Sequence, residues 1–181
     1  MVNSQALSLH EVIKVLMPVV GKENVLHELY DLIPYSRDRY PLLTHPKLGM
    51  RPLAVVRPKT TQEVQEIVKI ANRFRIALIP RGSGTNYAGS AIPTKGGIIL
   101  DLTRMNRILW VNEESMSVKV EAGVILQVLE EELNKRGFTF GHDPGSFPSA
   151  TVGGCISTRS LGWRAGKYGD MGRLVLSLKI R

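Results

Sequence analysis

A glycine-rich stretch placed directly after an apolar run constrains this chain more than any other feature. Ile76-Ala77-Leu78-Ile79 reads as a buried strand, and Pro80-Arg81-Gly82-Ser83-Gly84-Thr85-Asn86-Tyr87-Ala88-Gly89 follows as a loop at its C-terminal end. Glycines admit left-handed dihedrals and carry no Cβ, so successive N–H groups can converge on one anion, most commonly a phosphate. Spacing excludes two familiar phosphate sites. A dinucleotide fingerprint needs a third glycine where Tyr87 stands, and a crossover helix for which the interval before Gly97-Ile98-Ile99-Leu100-Asp101-Leu102 leaves no room. Asp101 therefore only mimics a ribose-binding acid. A P-loop needs a lysine after its last glycine, whereas Ser90-Ala91 follows Gly89. What remains is a loop between strands that clasps a diphosphate without presenting a helix N-terminus.

The flanking pattern supports an α/β context. Ser8-Leu9-His10-Glu11 has capping-box spacing, and Val12, Ile13, Leu16 and Met17 predict a helix from about Leu9 until Pro18 stops it. A second helix is expected over about Asn24 to Leu32, completing a helical lead-in over residues 1–46. The polar segment from Tyr35 to Pro41 reads as extended surface, and Tyr40 and His45 as solvated loop residues. From Pro52, Leu53-Ala54-Val55-Val56 predicts a strand. Thr60-Thr61-Gln62-Glu63 repeats the capping-box spacing, with Val64, Ile67, Val68, Ala71 and Phe74 at helical intervals up to Arg75. This β-α-β unit implies parallel strands, with the glycine-rich loop at the sheet's C-terminal edge, where open α/β sheets bind ligands. Beyond Met105–Val111, Ser117-Val118-Lys119-Val120-Glu121-Ala122 alternates as a half-buried strand. Val124, Val128, Leu129 and Leu133 then predict a helix closing at Gly137, whose solvated side carries Glu130, Glu131 and Glu132.

A second glycine-rich segment, Gly141 to Gly169, has seven glycines, several hydroxyl side chains and few large apolar groups, which makes a poor core. Close approach of backbone to a large polar ligand accounts for that composition, with a flexible linker as the competing reading. The net charge of +8, from 24 basic and 16 acidic residues, calls for an anionic ligand. Because the basic residues are scattered and no RNA-binding aromatic signature or zinc-finger spacing is present, that ligand is expected to be a phosphorylated small molecule rather than nucleic acid. The single Cys155 excludes an intrachain disulfide and a multi-cysteine metal centre and reads as a small inert core residue. With no apolar run of membrane-spanning length and no secretory pattern in Met1-Val2-Asn3-Ser4, a cytoplasmic protein is expected.

The two segments together resemble the FAD-binding domain of the vanillyl-alcohol oxidase/p-cresol methylhydroxylase superfamily, the FAD-linked oxidase N-terminal domain. Its glycolate oxidase subunit/D-lactate dehydrogenase group and alkyldihydroxyacetone-phosphate synthase are the nearest likenesses. Tyr35-Ser36-Arg37-Asp38, Arg57-Pro58-Lys59-Thr60-Thr61-Gln62-Glu63-Val64, Pro80 to Gly89 and Met105-Asn106-Arg107-Ile108 stand in that family's order. So do Val120-Glu121-Ala122-Gly123-Val124, Asp143-Pro144-Gly145-Ser146, Ala150-Thr151-Val152-Gly153-Gly154 and Lys167-Tyr168-Gly169. Asp143-Pro144-Gly145-Ser146 leans toward the hydroxy-acid branch, whereas Ser157-Thr158-Arg159-Ser160 and Gly141-His142 lean toward the alkyl-phosphate synthase branch.

The resemblance implies an α+β fold: a small β-α-β subdomain over 47–111 and a larger antiparallel-sheet subdomain over 112–181, with FAD between them. It implies that the stretch of Pro80, Arg81, Gly82, Ser83, Gly84, Thr85, Asn86 and Gly89 holds the diphosphate, through the backbone N–H groups of the residues after Pro80. Asp143, Pro144, Ser146, Ser149, Thr151, Gly153, Gly154 and Thr158 would line the ribityl and isoalloxazine side. Some relatives tether flavin covalently through a histidine where Thr85 stands here, so non-covalent FAD is expected. The family's activity implies that flavin N5 accepts a hydride from a 2-hydroxy acid such as D-lactate or glycolate. An ether-lipid synthase and a non-catalytic flavin-binding subunit are the alternatives. Relatives continue into a substrate domain, whereas this chain ends at Leu174–Arg181, read as a final alternating strand. A second subunit or a homo-oligomer is therefore expected to cover the flavin. No residue is assigned catalysis: Tyr168, Arg164 and His142 are ring-side candidates for which structural hydrogen bonding is the expected role.

Overall fold

The computed structural model describes residues 9–39 and 51–179, so the Ser8 half of the first capping box, Tyr40, His45 and the last two residues lie outside the described residues. The chain divides into two compact units, Met1–Asp101 and Leu102–Arg181.

The first unit is built on a four-stranded sheet of order β1-β2-β4-β3, with β1 Val25–Leu26, β2 Ala54–Val56, β3 Leu78–Arg81 and β4 Ile98–Asp101. The strands β2, β4 and β3 are parallel, and β1 adds antiparallel to β2. β4 lies between the two strands of the expected β-α-β unit, which makes β3 an edge strand. Ala54, Val55, Val56, Ile98 and Ile99 are all wholly buried, as uninterrupted apolar runs are in parallel strands covered on both faces. The register places Leu26, Val55, Ile99 and Ile79 side by side, and Leu32 and Tyr35 close over them.

The helix α3, Thr61–Phe74, begins where its capping box predicts. Thr60 accepts from the Glu63 amide at 3.2 Å, while Glu63 reaches back to the Lys59 amide at 2.6 Å. It ends at Arg75, which takes the left-handed cap usually given to glycine, φ 53°.

Two expectations in the lead-in are corrected. The helix α1, Leu9–Val20, runs through Pro18 and stops at Gly21, φ 87°. Pro18 has no N–H to return to the Lys14 carbonyl, and the helix continues only two residues beyond it before Gly21 ends it. In place of a helix over 24–32 there are a 3-10 turn at Lys22–Asn24, the short strand β1, the single turn α2 at Leu29–Leu32 and a 3-10 turn at Ile33–Ser36. Pairing of Val25 and Leu26 with the apolar edge of β2 overrides helix propensity there.

In the second unit β5, Ile108–Asn112, pairs antiparallel with β6, Ser117–Val120, with an irregularity between Ile108 and Trp110. The helix α4, Leu126–Asn134, follows and ends ahead of Gly137, φ 78°. Its inner face is Leu126, Leu129 and Leu133; Val128, expected inward, is 49% exposed because it lies off that i, i+3, i+7 line. Ala150, Val152, Cys155 and Met171 complete the core, with Phe147 and Ile156 packed against it. The second glycine-rich segment is therefore not a linker and contributes to the core. It carries the short helices α5, Val152–Ser157, and α6, Ala165–Tyr168. The final strand expected from Leu174 is corrected as well. A 3-10 turn spans Met171–Leu174, and residues 175–179 form no strand, with Leu176 and Leu178 exposed. Alternation alone cannot hold a strand that has no neighbour to bond.

Among the described residues no helix is long and apolar enough to cross a membrane. Removing the α3 cap tests the register of the first unit: Thr60→Ala should cost about 1 kcal/mol in urea unfolding, and no change would mean the cap bond is absent in solution.

Candidate functional site

β3 starts two residues later than its sequence pattern indicates and carries Pro80 and Arg81 within it. An edge strand tolerates Pro80, whose missing N–H needs no ladder partner. The glycine-rich loop thus begins at Gly82, beyond the C-terminal end of the sheet. Gly84 and Gly89 have φ of 70° and 74°. Asn86 shapes the turn, accepting the Ala88 amide on its side chain at 2.6 Å and the Arg39 amide on its carbonyl at 3.2 Å. The amides of Ser83, Gly84 and Thr85 donate to no protein acceptor among the described residues. Three successive free amides on a glycine-bearing turn are the donor set that an oxyanion such as a diphosphate requires.

The Arg81 side chain turns inward. The residue is only 9% exposed, and its guanidinium donates to the Ala91 carbonyl at 3.3 Å and the Pro34 carbonyl at 3.4 Å. Its guanidinium carbon stands 5.4 Å from the centre of the Tyr35 ring. A Cβ on Gly84 would collide with Arg81 Nη2 and lie 2.6 Å from its Cζ. Gly84 is therefore glycine for two reasons, its positive φ and the guanidinium packed against it.

Beside this group is a buried acid. Asp101, 3% exposed, accepts the Tyr35 hydroxyl at 2.6 Å and pairs with Arg57 at 3.9 Å. Asp101 mimics a ribose-binding acid, as the loop spacing indicates, and its carboxylate is held within the protein. Burial, then the hydrogen bond from the hydroxyl to Asp101, pushes Tyr35 well above its ordinary range, so it remains a donor. Burial also lowers the Arg81 proton affinity, opposed by Asp38, Tyr35 and Asp101. Sequence reading missed this cluster because its members are 66 residues apart, and only Tyr35-Ser36-Arg37-Asp38 hinted at it.

In the second unit, the structure draws the predicted residues into one folded segment and gives most of their polar atoms internal partners. Thr151, 3% exposed, is the N-cap of α5, its hydroxyl accepting the Gly154 amide at 3.3 Å. Thr158 closes the same helix by donating to the Gly154 carbonyl at 3.0 Å. Ser149 bonds back to the Ser146 carbonyl at 3.3 Å, within a turn that also returns the Phe147 amide to Pro144. Gly153 is pressed onto Ala122, where a Cβ would lie 2.7 Å from its Cβ and 2.9 Å from its carbonyl oxygen. Asp143 clamps a later stretch, accepting the Arg164 amide at 2.9 Å and pairing with Arg164 Nε at 3.3 Å.

The ring-side candidates hold structural places. His142, 2% exposed, shares a 2.6 Å hydrogen bond with Ser160, the Tyr168 ring covers Gly141, and Arg164 also bonds Thr139. Burial lowers the His142 pKa, against the pull of Asp143 and Asp170. Burial raises the Cys155 thiol, which agrees with an inert core residue. Of the three glutamates expected on the solvated side of α4, Glu130 instead accepts Thr139 Oγ1 at 2.6 Å and the Phe140 amide at 2.7 Å, tying down the chain after the helix. Among the described residues no cluster of three or more His, Cys, Asp or Glu side chains could hold a metal ion.

These contacts set three expectations. Gly84→Ala strains a left-handed backbone against a packed guanidinium and should cost about 1 kcal/mol or more. Gly153→Ala must move main chain and should cost about 1–3 kcal/mol; both are read by urea unfolding, and neutral outcomes would contradict the packing. His142 is easier to protonate unfolded than folded. Its contribution is therefore full above the unfolded value of 6.5 and is lost as pH falls through that value toward the lower folded one. His142→Gln should flatten that part of the pH–stability curve.

A family model described as an FAD binding domain matches residues 52–180. The chain is 34% identical over 131 residues to the alkyldihydroxyacetonephosphate synthase of Dictyostelium discoideum, covering 71% of this chain and 21% of that protein. It is 34% identical over 165 residues to glycolate oxidase subunit GlcD of Bacillus subtilis, covering 91% and 34% respectively. D-lactate dehydrogenases are also among its relatives. Of solved structures, p-cresol methylhydroxylase with substrate bound superposes with a TM-score of 0.71 at 27% identity, over 83% of this chain and 29% of that one. The chain spans only 21% and 34% of the length of the two curated relatives compared in detail. With a match across most of its length and a shared fold, the chain belongs to the FAD-binding domain family of the p-cresol methylhydroxylase type, and its cofactor is FAD.

Proposed function

We propose that this chain is the flavin-binding module of an FAD-dependent dehydrogenase or oxidase acting on a D-2-hydroxy acid of the D-lactate or glycolate type. The observation that carries the reading is the run of acceptor-free amides at Ser83, Gly84 and Thr85 within a matched FAD-binding domain. FAD, when bound, supplies two-electron acceptance that no side chain offers. The protein's part is to hold the diphosphate on those amides. None of the candidate ring-side groups is placed as an acid or base. The pocket for the hydroxy acid is assigned to a further domain, a second subunit or another copy of this chain.

Relatives named for alkyldihydroxyacetonephosphate synthesis favour a second reading, an ether-lipid enzyme using the same domain. The complete assembly, supplied in parallel with D-lactate or glycolate and with an acyl-dihydroxyacetone phosphate, separates the two. Turnover of the hydroxy acid alone supports the first, and alkyl exchange alone supports the second. A third possibility, a subunit with no turnover of its own, predicts that purified flavin-loaded chain does not bleach when a hydroxy acid is added anaerobically. Bleaching would remove it.

Thr85, in place of a tethering histidine, supports a non-covalent flavin. After acid precipitation the yellow colour should pass to the supernatant; colour kept in the pellet would overturn that reading. The cytoplasm is proposed as the compartment on the strength of a single unpaired cysteine. A relative named as mitochondrial makes cell fractionation the test.

A further inference from the structure

The loop amides are carried on an unusual floor. Directly behind Gly84 lies the guanidinium of Arg81, buried, stacked on Tyr35 and, among the described residues, held by two long hydrogen bonds to main-chain carbonyls. A guanidinium has five N–H donors in a rigid fork, and buried cations normally satisfy most of them. Asp38, then Tyr35 and Asp101, favour the charged form of Arg81, and Asp101 is itself shared with the Tyr35 hydroxyl and Arg57. Positive charge and free amides therefore coincide at one turn, and Gly84, which lacks a Cβ, lets them lie against each other.

We propose that Arg81 is a positioning residue for the FAD diphosphate, acting from beneath the loop through a guanidinium that shapes the turn at Gly84 and adds positive charge behind the Ser83–Thr85 amides. This rests on the reading that those amides hold the diphosphate. The sequence-derived role of Arg81 is donation from its backbone N–H; here its side chain acts without touching the ligand. A lysine keeps the charge but cannot reproduce the flat fork packed between Tyr35 and Gly84. A methionine keeps much of the volume and loses the charge.

The test uses the full chain, stripped of flavin and titrated with FAD, with 31P NMR of the bound cofactor as a second readout. Ile67→Val, which trims a wholly buried side chain of α3, controls for general destabilisation. Arg81→Met should weaken FAD binding about tenfold or more and Arg81→Lys by an intermediate factor. Both should displace the diphosphate phosphorus resonances, and Ile67→Val should leave them in place. Wild-type binding with Arg81 variants that match it in affinity and phosphorus shifts would overturn the proposal while leaving the FAD site intact. So would a loss in the Arg81 variants no larger than that of an Ile67→Val chain of equal stability. A wild-type chain that fails to bind FAD would overturn the site reading itself, and the proposal with it. Should Arg81→Met not fold, Arg81→Lys decides alone: unmoved phosphorus resonances refute the role, and moved resonances with weaker binding support it.

Discussion

The packing of one buried guanidinium against one glycine organises the candidate site. Arg81 ends the edge strand β3 facing inward, and in the turn that follows the absence of a side chain at residue 84 leaves room for its guanidinium. A buried cation must be balanced, and the balancing groups come from distant parts of the first unit: Pro34, Tyr35 and Asp38 before β2, Ala91 after the loop and Asp101 at the end of β4. The sheet brings these together by placing β4 between β2 and β3, with Arg81 and Asp101 in register. The geometry of the loop is thus a consequence of strand order.

The second unit meets a similar demand by other means. Its glycine-rich segment bends repeatedly, and each bend leaves main-chain groups that water or side chains must satisfy. Thr151 and Thr158 bond the two ends of α5, Asp143 binds the backbone at Arg164, and Glu130 binds it at Phe140. Hydroxyl and carboxylate side chains that resemble ligand donors in a linear reading are largely engaged in holding the segment's own backbone. The glycines divide likewise. Gly153 and Gly123 are crowded by neighbouring main chain, whereas Gly145 and Gly166 meet nothing within 4 Å.

Much of this was legible before any coordinates. The capping box at Thr60, the parallel sheet, the helix-free loop after β3, the alternating strand at Ser117–Val120, the helix closing near Gly137 and the inert Cys155 all follow from local spacing. The misreadings share one cause. Leu9–Val20 passing Pro18, Val25–Leu26 forming a strand, Val128 facing solvent and the tail after Leu174 forming no strand all depend on which partner an element finds, and periodicity within one element does not contain that information.

By itself the amino-acid order pointed to the kind of ligand: glycines after a strand, lacking the spacing for a nucleotide crossover helix, read as an anion-binding loop, and the likeness of the full succession of motifs to a known family implies FAD. Tertiary structure alone decided how each residue serves that end. Arg81 turned inward, Asp101 was consumed by Tyr35 and Arg57, and the threonines became helix caps, because a side chain's partners are set by segments tens of residues away that only folding brings within bonding distance.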